Sequence, residues 1–171
     1  GEKMGHDLSI VPFSFLLQHN DPVHVLGVPC PVRFTWKGNH MVIPWRPKHY
    51  INNLIARLKP DIVHIHHPWL LGAWALDNAQ KESIKTVFTF HTQYHHYLHY
   101  LPIPQRISYP ILRYLLKRLC AQVDAIIAPS PGMKSYIAHY GRTDSVVVPS
   151  PIRDCFSIQP FQSKTIQPPY Q

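Results

Sequence analysis

Three short apolar runs constrain the fold of this chain most strongly. Residues 61–65, 86–90 and 124–128 read DIVHI, TVFTF and DAIIA. A strand that is apolar along nearly its whole length is typical of a parallel sheet whose faces are covered. Parallel strands cannot be joined by a tight turn, and segments long enough for a crossover helix separate these runs. The runs therefore predict strands of one parallel sheet.

Helical patterns fill the segments before and between the runs. In residues 47–58 apolar side chains recur every three or four positions, and Pro47 suits the first turn of a helix. The other predicted helices span residues 69–81, 110–122 and 131–140. Further strands are expected at residues 7–11, 23–28, 40–44 and 145–148. This alternation predicts an α/β fold in which helices cover both faces of a parallel sheet.

The composition is that of a basic, globular chain. With 171 residues, 45% of them hydrophobic, it can bury the core of one domain. The formal net charge of +8 favours an anionic partner, such as lipid head groups, a phosphate-bearing substrate or nucleic acid. A basic protein without such a partner is the alternative. Nucleic acid is not expected, because Lys and Arg are scattered and no recognised binding module is present.

Cysteine usage and hydropathy bear on the cellular setting. Cys30, Cys120 and Cys155 are widely spaced and odd in number, so they predict neither a disulfide framework nor a zinc knuckle. A reducing, cytoplasmic setting is the simplest interpretation. Cys120 falls inside a predicted helix and is expected in the core. No apolar run reaches the ~18 residues that a membrane-spanning helix needs.

The segment TVFTFHTQYHHYLHY, residues 86–100, is unusually rich in histidine and tyrosine. His91, His95 and His99 are spaced by four, so on a helix each neighbouring pair would share a face and could bind a metal. No carboxylate or cysteine lies among them and no H-E-x-x-H motif is present, so neither a metal site nor a cofactor is predicted. His64, within an apolar run, is interpreted as a core histidine with a hydrogen-bond partner.

The ends of the strands are the expected place for a ligand. In open α/β sheets ligands bind at the carboxyl ends of the strands, which here are followed by residues 66–69, 91–94 and 129–132. The sequence has no G-x-S-x-G elbow, no paired carboxylates, no Walker loop and no G-x-G-x-x-G motif. Nucleophilic serine catalysis and two-carboxylate glycosidase chemistry are therefore not predicted.

The predicted helix at residues 110–122 and the residues before it form an amphipathic pattern. Arg106, Arg113 and Lys117 are predicted to share one face. The opposite, apolar face is predicted to contain Ile111, Leu112, Leu115 and Leu119. An ordinary surface helix is one interpretation. The other is that the three cations contact an anionic membrane, next to the aromatic segment HHYLHYLPIP.

Five segments in sequence carry a resemblance to a known family. They are GHDLSIV, KPDIVHIHHPWLLGAWAL, KTVFTFHTQYHHYLHYLP, CAQVDAIIAPSPGMKSYIAHYG and VVVPSPIRDCF. Together they resemble the N-terminal domain of the retaining GT-B glycosyltransferases of family 4, over residues 1–156. Within them, FHTQYHHYLHYLP is most similar to the diacylglycerol glucosyltransferase branch.

The resemblance implies a fold and a reaction. The fold would be one Rossmann-like half of a GT-B enzyme, the half that holds the acceptor. The implied reaction transfers a sugar, with retention, from a nucleotide-sugar donor such as UDP-glucose to a membrane lipid such as diacylglycerol. A polysaccharide or soluble acceptor, or a non-catalytic truncated fragment, are the alternatives. The implied location is peripheral, on the cytoplasmic face of the membrane, at an anionic surface.

The resemblance also implies residue roles. His91 matches the family histidine that follows a strand, and it would orient the reacting groups and stabilise developing charge. Thr92 and Tyr94 would shape the acceptor pocket, with His66 from the neighbouring strand end also binding substrate. Ser130 matches a turn that faces the cleft, where helix amides can meet polar or anionic groups.

Some features depart from the family pattern. The first strand, its glycine-rich turn and the donor-binding C-terminal domain have no counterpart in this sequence, and Pro151 replaces a family glycine. The chain is therefore expected to be a fragment, a truncated product or half of a split enzyme, inactive by itself. Residues 157–171, rich in Pro and Gln, are expected to form an irregular tail.

Overall fold

The elements follow the predicted alternation closely. The computed structural model describes residues 5–13, 24–36, 39–101 and 103–150. The strands are β1 (Ser9–Ile10), β2 (His24–Val25), β3 (Val32–Trp36), β4 (Asn39–Ile43), β5 (Ile62–Ile65), β6 (Lys85–Thr89), β7 (Ala125–Ala128) and β8 (Val146–Val147). The α-helices are α1 (Pro47–Leu58), α2 (Leu71–Lys81), α3 (Gln105–Gln122) and α4 (Pro131–Ala138), and a 3₁₀ helix spans Tyr94–Tyr100.

The three apolar runs form the centre of one parallel sheet. Its strand order is β5-β6-β7-β8, and every neighbouring pair is parallel. The register places Ile65, Phe88 and Ile126 side by side across three strands. Helices α2, α3 and α4 make the crossovers between successive strands. The predicted α/β, Rossmann-like parallel sheet is confirmed.

The main core lies between one face of this sheet and the three crossover helices. Ile65, Phe88 and Ile126 pack there with Leu116 of α3 and Ile137 of α4, all of them buried. Burying each such side chain stabilises the fold by about 1.5–3 kcal/mol. Right-handed crossovers between strands taken in order bring consecutive helices to the same face. The core therefore holds the strand ends in fixed positions.

A second, smaller core joins the amino-terminal elements to the sheet. Val28, Ile51 and Ile55 are buried there, with Leu71 and Ile84 packed against them. Helix α1 lies against α2 through this cluster. Strands β1 and β2 form a short parallel pair, and a bridge between Phe13 and Val28 extends it. The strands expected at residues 7–11 and 23–28 are present but shorter.

An antiparallel hairpin precedes α1 and was only half predicted. Strands β3 and β4 pair along their full lengths, from Val32 opposite Ile43 to Trp36 opposite Asn39. The expected strand at 40–44 corresponds to β4, whereas β3 was missed. Its sequence, VRFTW, does alternate apolar and polar residues, which is the pattern of a half-covered strand. Pro29 and Pro31 just before it obscured that signal.

Helix α3 begins earlier than predicted. It starts at Gln105 and not at residue 110, so Pro110 lies inside the helix. Pro104 is the residue before the helix, and its carbonyl oxygen accepts hydrogen bonds from the amides of Ile107 and Ser108. Placing Pro110 in the first turn was therefore wrong: it is the sixth residue of the helix, where proline has no amide hydrogen to donate to the Arg106 carbonyl oxygen. The predicted tail at 157–171 and Pro151 lie outside the described residues.

Candidate active site at the carboxyl ends of the strands

Two histidines meet where β5 and β6 end. The Nδ1 atom of His66 lies 2.9 Å from the Nε2 atom of His91, and the rings stack with centroids 5.2 Å apart. Both residues are exposed. They follow neighbouring parallel strands, so their proximity is the one expected from the strand order. One ring nitrogen must donate and the other accept, which requires at least one neutral ring.

A third histidine adjoins this pair. The Nε2 atom of His64 lies 2.7 Å from the hydroxyl of Thr89, and the His64 and His66 rings are 4.2 Å apart. His64 has the expected hydrogen-bond partner, but it is exposed and not part of the core, because its side chain points to the sheet face opposite Ile65. Partial burial, and then the neighbouring histidines, lower the pKa of both His64 and His66. These rings therefore favour their neutral form.

The turn that presents His66 depends on a close backbone approach. A Cβ atom at Gly72, in the first turn of α2, would overlap the carbonyl oxygen of His67 and press on the side chain of Ile65. The Gly72 amide donates to the Trp69 carbonyl oxygen at 3.2 Å. Leu70, just before α2, has a φ of 48°, a conformation that is costly for a residue with a branched side chain. The segment after β5 is thus tightly constrained.

Thr92 and Tyr94 lie beyond His91 but differ in exposure. Thr92 is half-buried, whereas Tyr94 is only 8% exposed and packs between Trp69 and Phe90 at ring distances of 5.6 Å. Burial raises the pKa of the Tyr94 phenol, and a hydrogen bond with Thr92 opposes that shift. Tyr94 therefore packs into the core beneath the segment that follows β6, and Thr92 is the more accessible of the two residues.

Ser130 caps the helix that follows β7. Its hydroxyl oxygen accepts a hydrogen bond from the Met133 amide at 3.2 Å, the usual arrangement at a helix start. Strand β7 is the neighbour of β6, and the Phe90 amide donates to the Ile127 carbonyl oxygen near their ends. Ser130 thus follows the strand next to the one that carries His91.

The remaining histidines of the segment have separate hydrogen-bond partners. Residues Tyr94–Tyr100 form a 3₁₀ helix with three residues per turn, so His95 and His99, four positions apart, do not share a face as they would on an α-helix. His95 bonds to the hydroxyl of Tyr136, which also accepts from the Tyr140 hydroxyl, both at 2.8 Å. His99 Nδ1 lies 2.7 Å from the His96 carbonyl oxygen. In the described ranges no group of three potential ligands is arranged to hold a metal ion.

Sequence reasoning missed the link to Tyr136. The hydrogen bond from His95 joins the 3₁₀ helix to α4, forty-one residues further along the chain. No local pattern in either segment points to this pair, since it arises from the way both pack beside Phe90. The link fixes the segment after His91 against α4.

Helix α3 exposes more apolar surface than expected. Its buried stripe consists of Ser108, Leu112, Leu116, Leu119 and Cys120. Ile111 and Leu115, predicted on the buried face, are 51% and 40% exposed. The prediction was wrong for these two because a stripe at a spacing of four places them on its flank. Cys120 is fully buried, as predicted.

The exposed part of α3 has two chemically different sides. Arg106, Arg113 and Lys117 are exposed, as a cationic side requires. Ile107, Ile111 and Tyr114 are exposed too, and helical periodicity groups them on another side. The segment before α3 adds exposed side chains of Tyr97, Tyr100, Leu101 and Ile103. Across the described residues, no helix has both the length and the apolarity to traverse a bilayer.

Comparison with known proteins places these features in a family. A family model described as Glycosyltransferase Family 4 matches residues 2–154. The chain is 33% identical over 103 residues to an alpha-monoglucosyldiacylglycerol synthase of Acholeplasma laidlawii, covering 58% of this chain and 25% of that protein. It is 29% identical over 93 residues to the protein of that name from Streptococcus pneumoniae (strain ATCC BAA-255 / R6), covering 54% and 21%. The predicted similarity to the diacylglycerol glucosyltransferase branch is confirmed, and the matched segments span about a quarter of these relatives.

Proposed function

The chain belongs to glycosyltransferase family 4, and from that premise we propose that it forms the acceptor-side domain of a retaining glycosyltransferase acting on a membrane lipid. The acceptor is diacylglycerol or a close relative, and the donor is a nucleotide sugar such as UDP-glucose, held by a second domain. The reaction breaks the bond between the sugar and the donor diphosphate and forms a bond from the same anomeric carbon to the lipid hydroxyl. The lipid proton leaves with the diphosphate.

His91 carries the chemical part of this proposal. When the Nδ1–H of His66 donates to Nε2 of His91, the proton of a neutral His91 ring lies on its own Nδ1. Among the described residues no protein group pairs with that Nδ1 atom. It is therefore available to donate to a sugar hydroxyl or a phosphate oxygen and to orient the donor for transfer. His66 is then a positioning residue as well as part of the substrate-binding group, which also includes Thr92 and Ser130, and to which buried Tyr94 contributes through its hydrogen bond with Thr92.

The exposed sides of α3 support a lipid acceptor over a soluble one. Arg106, Arg113 and Lys117 would attract an anionic leaflet, each by about 1 kcal/mol close to the surface. The adjacent side with Ile107 and Tyr114 would enter the boundary between head groups and acyl chains. On this proposal the protein works at the cytoplasmic face of the membrane, where its acceptor lies.

A chimera tests the proposed activity. The matching segment of the Acholeplasma laidlawii synthase is replaced by this chain, and transfer of labelled glucose from UDP-glucose to diacylglycerol in vesicles is measured. Transfer to the lipid is expected. A folded chimera that glucosylates soluble sugars but no lipid would instead assign the chain to a soluble acceptor.

A charge reversal tests the proposed membrane contact. Arg113→Glu should weaken flotation with anionic vesicles at low salt roughly tenfold, since a lost attraction is replaced by repulsion. Lys134→Glu on α4 makes the same change in net charge and should have a much smaller effect. Equal effects of the two variants would mean that net charge alone, and not the α3 surface, controls binding.

A further inference from the structure

The hairpin of β3 and β4 presents an exposed apolar face. Val32 and Ile43 lie opposite each other, and Phe34 shares their face two residues along the strand. Each of these three side chains is about half exposed, and Trp45, just after β4, is 66% exposed. Exposed apolar groups collected on one face usually mark a contact surface.

The hairpin has little to cover that face within the described part of the chain. The only extensive contact of each of its strands there is with the other strand. The residues that flank the hairpin are joined by a hydrogen bond, which the Trp45 amide donates to the Pro29 carbonyl oxygen at 2.9 Å. A two-stranded hairpin is marginally stable in water unless its apolar face packs against something.

The charge around the hairpin indicates what covers it. Residues 22–60 contain no acidic residue, whereas they contain Arg33, Lys37, Arg46, Lys48, Arg57 and Lys59. Arg33 lies on the hairpin face opposite Val32 and Phe34, and Arg46 follows Trp45 directly. Long cationic side chains can reach phosphate groups while neighbouring apolar side chains enter the acyl boundary. Tryptophan is enriched at that same depth.

We infer that this hairpin is a second lipid-contacting element, which inserts Val32, Phe34, Ile43 and Trp45 into the interface of an anionic membrane. An anionic lipid surface offers both an apolar layer for this face and negative charge for Arg46, which follows Trp45. The inference extends the proposed lipid acceptor, on which its purpose rests, to an element remote in sequence from α3. It predicts that the hairpin contacts anionic vesicles even when the contact of α3 with the membrane is weakened.

A fluorescent reporter on the hairpin tests this contact directly. Phe34→Cys is labelled with an environment-sensitive dye in the full chain, with Cys155→Ser present so that only the buried Cys30 and Cys120 remain. Asn52→Cys, on the exposed side of α1, carries the same dye as the control. Vesicles of phosphatidylglycerol and phosphatidylcholine should raise the emission intensity of the dye at position 34 severalfold and shift its maximum to shorter wavelength. The dye at position 52 should show neither change. Added salt should weaken the response.

Several results would overturn the inference. No change at position 34 on vesicles that the protein binds would do so, as would failure to bind any vesicle. An equal response to pure phosphatidylcholine would remove the anionic surface as the partner. A response that grows with protein concentration in the absence of lipid would mean that a second copy of the chain covers the face.

Flotation of a truncated side chain provides an independent measurement. Phe34→Ser should lower the affinity for anionic vesicles roughly tenfold, while Val148→Ser, at an equally exposed position after β8, should leave it unchanged. Circular dichroism confirms that both variants are folded. Retained glucosylation of a dispersed short-chain diacylglycerol by the chimera, without a vesicle response at position 34, would overturn the hairpin contact alone and leave the proposed reaction standing.

Discussion

Nδ1 of His66 and Nε2 of His91 lie 2.9 Å apart, and this contact joins the ends of two neighbouring parallel strands. A hydrogen bond between two imidazoles exists only while one ring is neutral. The His64 and His66 rings lie 4.2 Å apart, and burial, His64 and His91 together lower the pKa of His66. His64 and His66 are therefore the two rings whose protonation this packing disfavours.

Acidification should weaken the fold through His64 and His66. The pKa values of His64 and His66 are lowered in the folded protein, so the unfolded chain binds more protons as the pH falls below about 6.5. Stability is fully present above that pH and is lost as the pH drops toward the folded pKa values. The temperature of half-unfolding should be lower at pH 5.5 than at pH 7.5. The double variant His64→Gln, His66→Gln should show a smaller difference between the two pH values. An unchanged pH dependence in the double variant would place the titrating groups elsewhere.

Removal of the His91 ring should impair turnover far more than removal of the His96 ring. In the chimera, His91→Ala should lower kcat by about 10²–10³, the loss typical of a hydrogen-bond donor to developing charge. His96 is exposed and bonds only within its own segment, to Gln93, so His96→Ala should have little effect on turnover. Equal losses in the two variants would contradict the proposed division of roles.

Gly72→Ala should destabilise the protein although alanine favours helices. The added methyl group overlaps the His67 carbonyl oxygen, and such overpacking costs about 1–3 kcal/mol. Chemical denaturation measures this change in the free energy of unfolding. Ala73→Ser, at the exposed next position, is the matched control and should change stability only slightly. A stabilised Gly72→Ala variant would mean that the turn after β5 relaxes freely.

Asp124→Asn should lower stability at neutral pH and flatten its dependence on acid. The carboxylate accepts hydrogen bonds from Lys85 at 2.9 Å and from the amide and hydroxyl of Thr86 at 2.9 and 2.8 Å. These bonds lower the pKa of Asp124 to about 2. Because the folded value lies below the unfolded one, the stabilisation is present above about pH 4 and is lost as the pH falls toward 2. Thermal unfolding of both proteins between pH 7 and pH 2.5 should show the curves converging; parallel curves would contradict this role.

The parts of the fold that depend on periodicity were predictable. Helix α1 spans Pro47–Leu58, the predicted range, because its apolar spacing and its first-turn proline agree. The start of α3 was not predictable, because proline is typical of a first helical turn and Pro110 nevertheless lies inside the helix. Strand β3 was missed because flanking prolines mask a five-residue alternation. Local signals were decisive only where they agreed with one another.

Some contacts of the candidate site were predictable from the sequence and others were not. The proximity of His66 and His91 follows from strand order alone, because the carboxyl ends of neighbouring parallel strands lie side by side. The burial of Tyr94 and the bond between His95 and Tyr136 depend on packing between segments some forty residues apart. The requirement for glycine at position 72 likewise depends on a backbone that comes near only after folding. Such contacts leave no periodic trace in a single sequence.

The carboxylate of Asp124 lies at the start of β7 and clamps it to the start of β6, whereas the histidines follow the other ends of the strands. The amino-terminal ends and the carboxyl ends of the strands therefore have different roles. On the proposed function, substitutions near His66 and His91 would change the reaction, while the hydrogen bonds between Asp124 and Thr86 keep the strands in register. If the proposed function holds, a mutational scan should find that positions critical for folding and positions critical for activity separate along each strand.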